Sequence, residues 1–566
     1  MRSDTALPAS KARSALASFI TLIATIALAH GLTAILPGAD LREVQALNAL
    51  SLTVAAIIVG SIGCMASFHR SVASATVIGG LAGAAAMVVL AATGLAHWSG
   101  GLSLLLVGMA SGAIARWAAS HLPSGLEEAA HENRRFTIVW LLLALLAVLQ
   151  VGRLATFATA PDFDWFLLTR DPYFARHMCL PAYIYGAELN ERGDPNIYAT
   201  EHYLALNPDA APETRFDMLA EDPFQYPPPF LLLPRLATWL SGDFQAIYAV
   251  WLTIQITAFL AVAVALARWV GGRAGSLAAL SLPLFLLAVP TLSNLQYGQF
   301  HLMAILLTVA AMLAFDSGRN ALGGGLLGFA ILSKIFPGIF LVWLAMQRRW
   351  APVAWTVAAC AVVAVGSLPV VGIAPFETFV TYQLPRLGDG SAFAFASVYP
   401  EFEGFLIAIN QSYLGIVQKL GVLGLPGMTP ELASTAGRLF GLFVLVVAVV
   451  AARRTPTSRA DRAAAWLSLA GLASLTSAGA WGDYIGLPAL WLLTFMGARM
   501  LSSRTLTWTL GLLWFFLFFI PGSMPIGSWF PLRFMVSLSL IGALALHAFY
   551  LVVLLGSSLR LTPLDR

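Results

Sequence analysis

The sequence predicts an all-α, polytopic helical membrane protein, and its composition and hydropathy pattern carry this prediction. Of the 566 residues, 59% are hydrophobic and only 11% are charged, whereas soluble proteins have about 25% charged residues. Apolar runs such as 18–36, 46–66 and 136–157 approach or exceed the ~20 residues that a helix needs to cross a membrane. They lack the apolar–polar alternation of barrel strands, so we predict transmembrane helices.

Charged residues between the apolar runs indicate the topology. Arg2, Lys11 and Arg13 precede a first run that is longer than the apolar part of a typical signal peptide, so we expect a retained first helix and a cytoplasmic N-terminus. With every strong basic cluster placed inside, the chain makes about 14–16 membrane segments and its C-terminus is cytoplasmic too. The net charge of +4 comes from these short loops and does not indicate nucleic-acid binding. We predict a multi-pass protein of a bacterial-type inner (plasma) membrane.

One part of the chain is too short for two ordinary transmembrane helices. Ser317–Arg319 and Arg348–Arg349 are both expected in the cytoplasm, and only about 28 residues separate them. Each arm of about 14 residues rises ~21 Å at about 1.5 Å per residue, less than the ~30 Å of the hydrocarbon core. We predict two short helices that meet at Lys334–Pro337 near the outer side, where a broken helix can border a polar cavity.

The charged segments also divide the chain into predicted parts. The core contains two outer loops, at 158–243 and 375–433. The first loop has twelve acidic residues and four arginines between Asp162 and Asp222. The outer side permits this excess of acid, and we expect short interfacial helices in the loop. The parts are accessory transmembrane helices at 1–118, a cytoplasmic linker at 119–135, a core at 136–500 and C-terminal transmembrane helices at 501–566.

Asp162 and Asp164 are the candidate catalytic residues, because they follow the predicted span 136–157 directly. A carboxylate at the outer end of a helix can act as a general base on a substrate that lies at the membrane surface. The alternative is that outer loops carry acidic residues for solubility. The two carboxylates could also bind a divalent ion, but such a pair alone is a weak indication. We predict no metal site and no other cofactor.

Basic side chains near the outer side are candidates for binding a phosphate group. Arg170, Arg176 and His177 lie near the start of the first outer loop, where arginine offers bidentate donors to phosphate. Ordinary surface ion pairs are the alternative for these residues. Lys334 has apolar residues on both sides, so its ammonium group needs an anion or a carboxylate partner unless the side chain reaches the interface.

Polar residues at other outer helix ends are candidates for lining the same cavity. Gln299 lies in a polar run after a predicted span, and we group it with Lys334 because polar side chains in membrane helices usually face a cavity. Tyr226 ends the first outer loop in a Tyr-Pro-Pro-Pro sequence, and Asn410 and Asp483 lie in polar segments at the outer side. For Asp483, a solvated turn is an equal alternative.

Read in order, these motifs resemble those of glycosyltransferase family 87, which are membrane enzymes of the GT-C class. The resemblance covers roughly 136 to 500. It implies a GT-C fold and the inverting transfer of a sugar, commonly a hexose such as mannose, from a polyprenyl-phosphate donor to a lipid or glycan acceptor at the outer face. An Asp would act as the base and cations would stabilise the leaving phosphate. The matching residues are Asp162-Phe163, Gly193 to Tyr198, Tyr226-Pro-Pro, Gly298-Gln299, Lys334 to Pro337, Arg348-Arg349-Trp350 and Asn410-Gln-Ser412.

The sequence departs from the family pattern at two places. The family's Asp usually stands about fifteen residues before the loop glycine, and Cys179 occupies that position here. The base could therefore be Asp162, Asp164 or Asp171. Relatives often carry histidines where this chain has the segment 481–484, so the substrate can differ too.

Two other functions fit a membrane protein with a large outer loop. An envelope polysaccharide polymerase or ligase would use diphosphate-linked oligosaccharides as donors. A transporter would often show internal repeats and charges near the middle of the membrane, whereas most of the polar candidates here collect on one side. The predicted partners are the lipid bilayer, a lipid-linked sugar donor and a lipid or glycan acceptor, with no nucleic acid.

Overall fold

The computed structural model describes most of the chain. The predicted segment 505–521 lies outside the described residues, as do parts of both predicted outer loops. The described residues are 11–36, 46–69, 71–94, 98–127, 134–160, 177–203, 220–393, 403–454, 456, 458–481, 485–500 and 531–559.

Helices make up most of the described chain. Between Lys11 and Tyr297 they are α1 (Lys11–Ile35), α2 (Ala46–His69), α3 (Val72–Ala92), α4 (Trp98–His121), α5 (Arg134–Thr159), α6 (Leu180–Glu191), α7 (Leu232–Leu240), α8 (Phe244–Val270), α9 (Gly272–Leu280), α10 (Leu282–Leu287) and α11 (Val289–Tyr297). After Tyr297 they are α12 (Phe300–Asp316), α13 (Asn320–Ser333), α14 (Ile339–Met346), α15 (Trp350–Val371), α16 (Ala374–Thr378), α17 (Leu384–Asp389), α18 (Glu403–Ile409), α19 (Tyr413–Val422), α20 (Pro430–Ala452), α21 (Arg459–Ser474), α22 (Leu487–Met500) and α23 (Leu532–Leu559).

Shorter elements connect these helices. Two strands of two residues each form a small parallel pair. A π-helical turn covers Phe379–Gln383. The strands are β1 (His177–Met178) and β2 (Ala220–Glu221), and the 3-10 turns are Thr200–His202, Pro228–Leu231, Phe336–Gly338 and Ser391–Phe393.

Nine of the described helices are long and apolar enough to cross a membrane, which confirms the predicted all-α, polytopic fold class. They are α1 to α5, α8, α15, α20 and α23. The other predicted membrane segments correspond to shorter helices, to a pair of helical segments broken at Ala288, and to the segment 505–521. The difference from the predicted 14–16 segments therefore has two sources: some predicted segments are short or broken helices, and one lies outside the described residues.

Met1–Leu167 and Leu240–Leu287 form one compact unit. In it, α1 packs against α2, α4, α5 and α8. Glycines allow α3 and α4 to approach closely, since a Cβ atom on Gly79 would lie 2.0 Å from the Gly108 carbonyl oxygen. This unit joins α5 and α8 to the first four helices.

Leu168–Trp239 and Ala288–Arg566 form the second compact unit. It contains the predicted pair of short helices: α13 ends at Ser333, the backbone of Lys334 is extended, and a 3-10 turn leads into α14. Pro337 lies three positions after Lys334. Because proline inside a helix removes a backbone hydrogen bond, the helix is interrupted here. The break places the Lys334 side chain beside residues of other segments of the same unit.

Candidate active site

A cavity of about 330 Å³ lies within the second unit. This volume is at the lower end of the range of about 300–1,000 Å³ that is common for small-molecule sites. The walls come from the start of α6, the residues after β2, the chain breaks before α12 and after α13, α17, and the segment after α21. The polar and aromatic lining side chains include Cys179, Tyr183, Asp222, Gln225, Tyr226, Gln299, His301, Lys334, Phe393, Thr476, Ser477 and Trp481.

The strand pair β1–β2 brings Cys179 and Asp222 to the same part of the wall. Its parallel register pairs Met178 with Glu221, so the residues that follow them, Cys179 and Asp222, lie side by side. The Cys179 thiol is 3.5 Å from Asp222 Oδ2. Cys179 also donates its backbone N–H to the Tyr297 carbonyl at 2.8 Å, which ties this corner to the turn before α12.

A buried hydrogen-bonded cluster of Tyr183, Tyr226 and Gln299 forms another part of the wall. Both phenol oxygens lie within hydrogen-bonding distance of Gln299 Oε1, at 2.9 Å for Tyr183 and 2.6 Å for Tyr226, and they are 2.7 Å from each other. Burial raises the pKa of both phenols well above the usual range, so both keep their protons. Both phenols donate these protons to Gln299 Oε1, and the bonds fix the Tyr226 ring in the wall.

The turn that carries Gln299 requires a glycine. Gly298 ends α11 with a φ of 63°, a left-handed conformation that a residue with a Cβ atom adopts only with strain. Gln299 donates its backbone N–H to the Asn294 carbonyl at 2.9 Å, and the next helix begins at Phe300. The N-terminal end of α12 therefore lies at the cavity, with Gln299 and His301 beside it.

Lys334 supplies a cationic side chain to the cavity. Its Nζ atom is 5.0 Å from the centre of the Tyr226 ring, within the range of about 6 Å for a cation–π contact. Among the described residues, no carboxylate oxygen lies within 4.0 Å of this ammonium group. The Lys334 ammonium group thus lies near the face of an aromatic ring at the cavity.

The segment after α21 forms a third part of the wall, and Asn410 holds it in place. Asn410 donates from Nδ2 to the Ala478 carbonyl at 2.8 Å and accepts at Oδ1 from Ala480 N–H at 3.2 Å. An isolated antiparallel bridge also joins Asn410 to Trp481. The Trp481 ring lies edge-to-face with the Phe393 ring, with 6.3 Å between their centres. This part of the wall therefore combines aromatic surface with the hydroxyl groups of Thr476 and Ser477.

The structure brings Tyr226, Gln299 and Lys334 together at one cavity. Asn410 does not line it but braces the segment that does, and His177 contributes its backbone to β1. No group of three or more His, Cys, Asp or Glu side chains able to hold a metal ion occurs in the described part of the chain. The other predicted site residues lie outside the described residues: Asp162, Asp164, Arg170, Asp171, Arg176 and Asp483.

Tyr183, Asp222 and His301 are among the lining residues that were not predicted as site residues. His301 belongs to the polar run that includes Gln299, so the sequence contains a signal for it. Tyr183 lies on a short helix, α6, whose residues are nearly all buried. Asp222 reaches the cavity through a strand pair of two residues, which no sequence periodicity can indicate.

The many apolar helices define a polytopic membrane protein, and its second unit contains a cavity lined in part by polar and aromatic side chains. Residues 224–478 match the model of glycosyltransferase family 87, and this match confirms the resemblance seen in the sequence. The match supports a membrane glycosyltransferase. No curated protein and no solved structure matches it. The matched segment includes Tyr226, Gln299 and Lys334, whereas Cys179 and Asp222 precede it.

Proposed function

We propose that this glycosyltransferase moves a hexose, such as mannose, from a polyprenyl-phosphate donor to a hydroxyl group of a lipid or glycan acceptor, with inversion at the anomeric carbon. The supporting observation is the Lys334 ammonium group at a cavity of about 330 Å³ within a membrane protein. The polyprenyl chain of such a donor can stay in lipid while its phosphate and sugar enter the cavity. Because of the charge pattern of the loops, we assign the cavity to the outer side.

Lys334 is assigned to the leaving phosphate. When the bond between the anomeric carbon and the phosphate oxygen breaks, negative charge develops on that oxygen, and a nearby ammonium group stabilises it. The N-terminal end of α12, at Phe300, adds a partial positive charge in the same wall. Gln299 orients the wall through its bonds to the two phenols, and Arg170, Arg176 and His177 remain predicted donor-binding residues.

The segment after α21 is assigned to the sugar or the acceptor. Thr476 and Ser477 line the cavity and carry hydroxyl groups that can exchange hydrogen bonds with those of a sugar. Trp481 and Phe393 add aromatic surface against which the apolar face of a hexose ring can pack. Asp483, two residues after Trp481, remains a predicted cavity residue.

The test is a transfer assay with the purified full-length protein, labelled polyprenyl-phosphate hexoses, and lipid or glycan acceptors. Lys334→Ala should lower kcat by about 100- to 1,000-fold, because a charge that stabilises the leaving group is lost. The kcat of Lys334→Arg should lie between those of wild type and Lys334→Ala, since arginine keeps the charge but not the shape of the lysine side chain. Arg386→Ala is the matched control: its guanidinium lies 4.7 Å from the Tyr382 ring, yet Arg386 does not line the cavity, so activity should stay near wild type.

Three results would contradict the proposal. Full activity of Lys334→Ala would remove the cation from the mechanism. Turnover with diphosphate-linked oligosaccharides alone would favour the polymerase or ligase. Solute transport in vesicles without any sugar transfer would favour the transporter.

A further inference from the structure

We propose that Asp222 is the general base that accepts the proton of the acceptor hydroxyl, an assignment that rests on the proposed sugar transfer. The sequence predicts Asp162, Asp164 or Asp171 for this role, and all three lie outside the described residues. Among the described residues that line the cavity, Asp222 is the one that carries a carboxylate. It shares this cavity with Lys334, so the groups needed at the two ends of a displacement occur at one site.

The backbone fixes the position of Asp222. It directly follows β2, whose pairing with β1 sets its register against Cys179, and Pro223 follows it. The Cys179 thiol lies 3.5 Å from Asp222 Oδ2, and Gln299 donates from Nε2 to the same sulfur at 3.3 Å. A chain of contacts therefore joins the carboxylate to the hydrogen-bonded cluster of Tyr183, Tyr226 and Gln299. Such support holds a reacting group in one orientation, as efficient proton transfer requires.

The other titratable groups of the cavity are less suited to accept this proton. The phenols of Tyr183 and Tyr226 keep their protons and direct their oxygens toward Gln299. Lys334 is assigned to the phosphate. His301 is the competing base, but its ring stacks on Phe336 with 5.1 Å between centres.

The chemical step balances without a further reactant. The acceptor oxygen forms a bond to the anomeric carbon while the bond from that carbon to the phosphate oxygen breaks. The bonding electrons leave with the phosphate, giving polyprenyl phosphate beside the Lys334 ammonium group. The proton of the acceptor hydroxyl passes to the Asp222 carboxylate, which later releases it to water.

The experiment compares wild type, Asp222→Asn and Asp222→Glu in the same transfer assay, with donor binding and thermal unfolding measured on each protein. Asp222→Asn keeps the size of the side chain but not its basicity, so kcat should fall about 100- to 10,000-fold, the usual contribution of a general base. Donor affinity should change less than about threefold, because the step affected follows binding. Asp222→Glu should recover part of the activity.

Asp243→Asn is the matched control. Asp243 caps α8 by accepting the Gln245 N–H at 2.9 Å, and asparagine caps a helix equally well. This variant should keep wild-type activity.

The outcomes separate two failures. If wild type does not use polyprenyl-phosphate hexoses, the proposed function fails, and with it the role of Asp222. If wild type transfers sugar and Asp222→Asn does so equally well, the assignment of the base is wrong while the function stands. The assignment is also wrong if His301→Gln or Asp162→Asn removes transfer and Asp222→Asn does not. If Asp222→Asn loses not only activity but also donor binding and stable folding, Asp222 has a structural role and the proposal is contradicted.

Discussion

The two compact units both bury polar side chains, but they use them differently. In the first unit, His30 is 1% exposed and both of its ring nitrogens are bonded, Nδ1 to Thr159 at 3.0 Å and Nε2 to Thr53 at 2.8 Å. In the second unit, the cluster of Tyr183, Tyr226 and Gln299 is equally well bonded, yet it forms a wall of a cavity that also exposes Lys334.

This contrast shows that a buried polar group in a membrane protein does not by itself mark a functional site. The His30 network joins α1, α2 and α5 by satisfying each polar atom with another, which is a structural role. The cavity network holds a wall whose charged groups can bind a substrate. A network whose polar atoms are all bonded to one another stabilises the fold, whereas a network at a cavity can also orient the groups that contact a substrate.

Among the changes that test this contrast between the two buried networks, Gln299→Leu should lower kcat the most. It removes the acceptor shared by the Tyr183 and Tyr226 hydroxyls and leaves both to find other partners inside a buried wall. Each such loss is worth about 1–3 kcal/mol, so kcat should fall about 10- to 100-fold as the wall shifts. Transfer kinetics measure this, and an unchanged kcat would show that the cavity network is as structural as that of His30.

Asn410→Ala should have a smaller effect. The change removes the bonds to Ala478 and Ala480, so the segment that carries Trp481 should move relative to the rest of the cavity. We expect KM for the sugar-bearing substrate to rise about three- to tenfold while kcat changes less, since about 1 kcal/mol of positioning is lost. A fall in kcat without a rise in KM would instead place Asn410 in the chemical step.

His30→Ala should leave catalysis almost unchanged. The variant loses the hydrogen bonds to Thr53 and Thr159 and leaves a space in a packed core. Its free energy of unfolding in detergent should therefore be about 2–3 kcal/mol lower than that of wild type. Transfer by the folded protein should stay within about twofold of wild type, because less than about 0.4 kcal/mol of the barrier is involved. A large loss of kcat in a stably folded His30→Ala protein would remove the distinction between the two networks.

Much of the fold and part of the site follow from the sequence. Long apolar runs predict the helices because crossing a membrane needs a fixed length, and the distance between basic anchors predicts the break near Lys334. Gln299 and Lys334 could be singled out because polar residues are costly among apolar helices, and Tyr226 because it begins a Tyr-Pro-Pro-Pro sequence at the end of the first outer loop. These signals depend on local composition alone.

The rest of the site depends on contacts between distant segments. Asp222 is 43 positions from Cys179, and a strand pair of two residues joins them. No periodicity arises over so few residues. The role of Asn410 was hidden for a similar reason, since its side chain bonds to backbone groups at Ala478 and Ala480. The sequence shows a polar residue at the outer side but not that it supports the wall.

The central claim is that Lys334 receives the phosphate of a lipid-linked sugar. The most direct measurement is an experimental structure of the protein with a non-transferable polyprenyl-phosphate hexose analogue. We predict that the phosphate oxygens lie about 2.7–2.9 Å from Lys334 Nζ, the distance of a charge-assisted hydrogen bond, with the sugar inside the cavity. A phosphate bound elsewhere, with Lys334 facing an empty cavity, would contradict the claim.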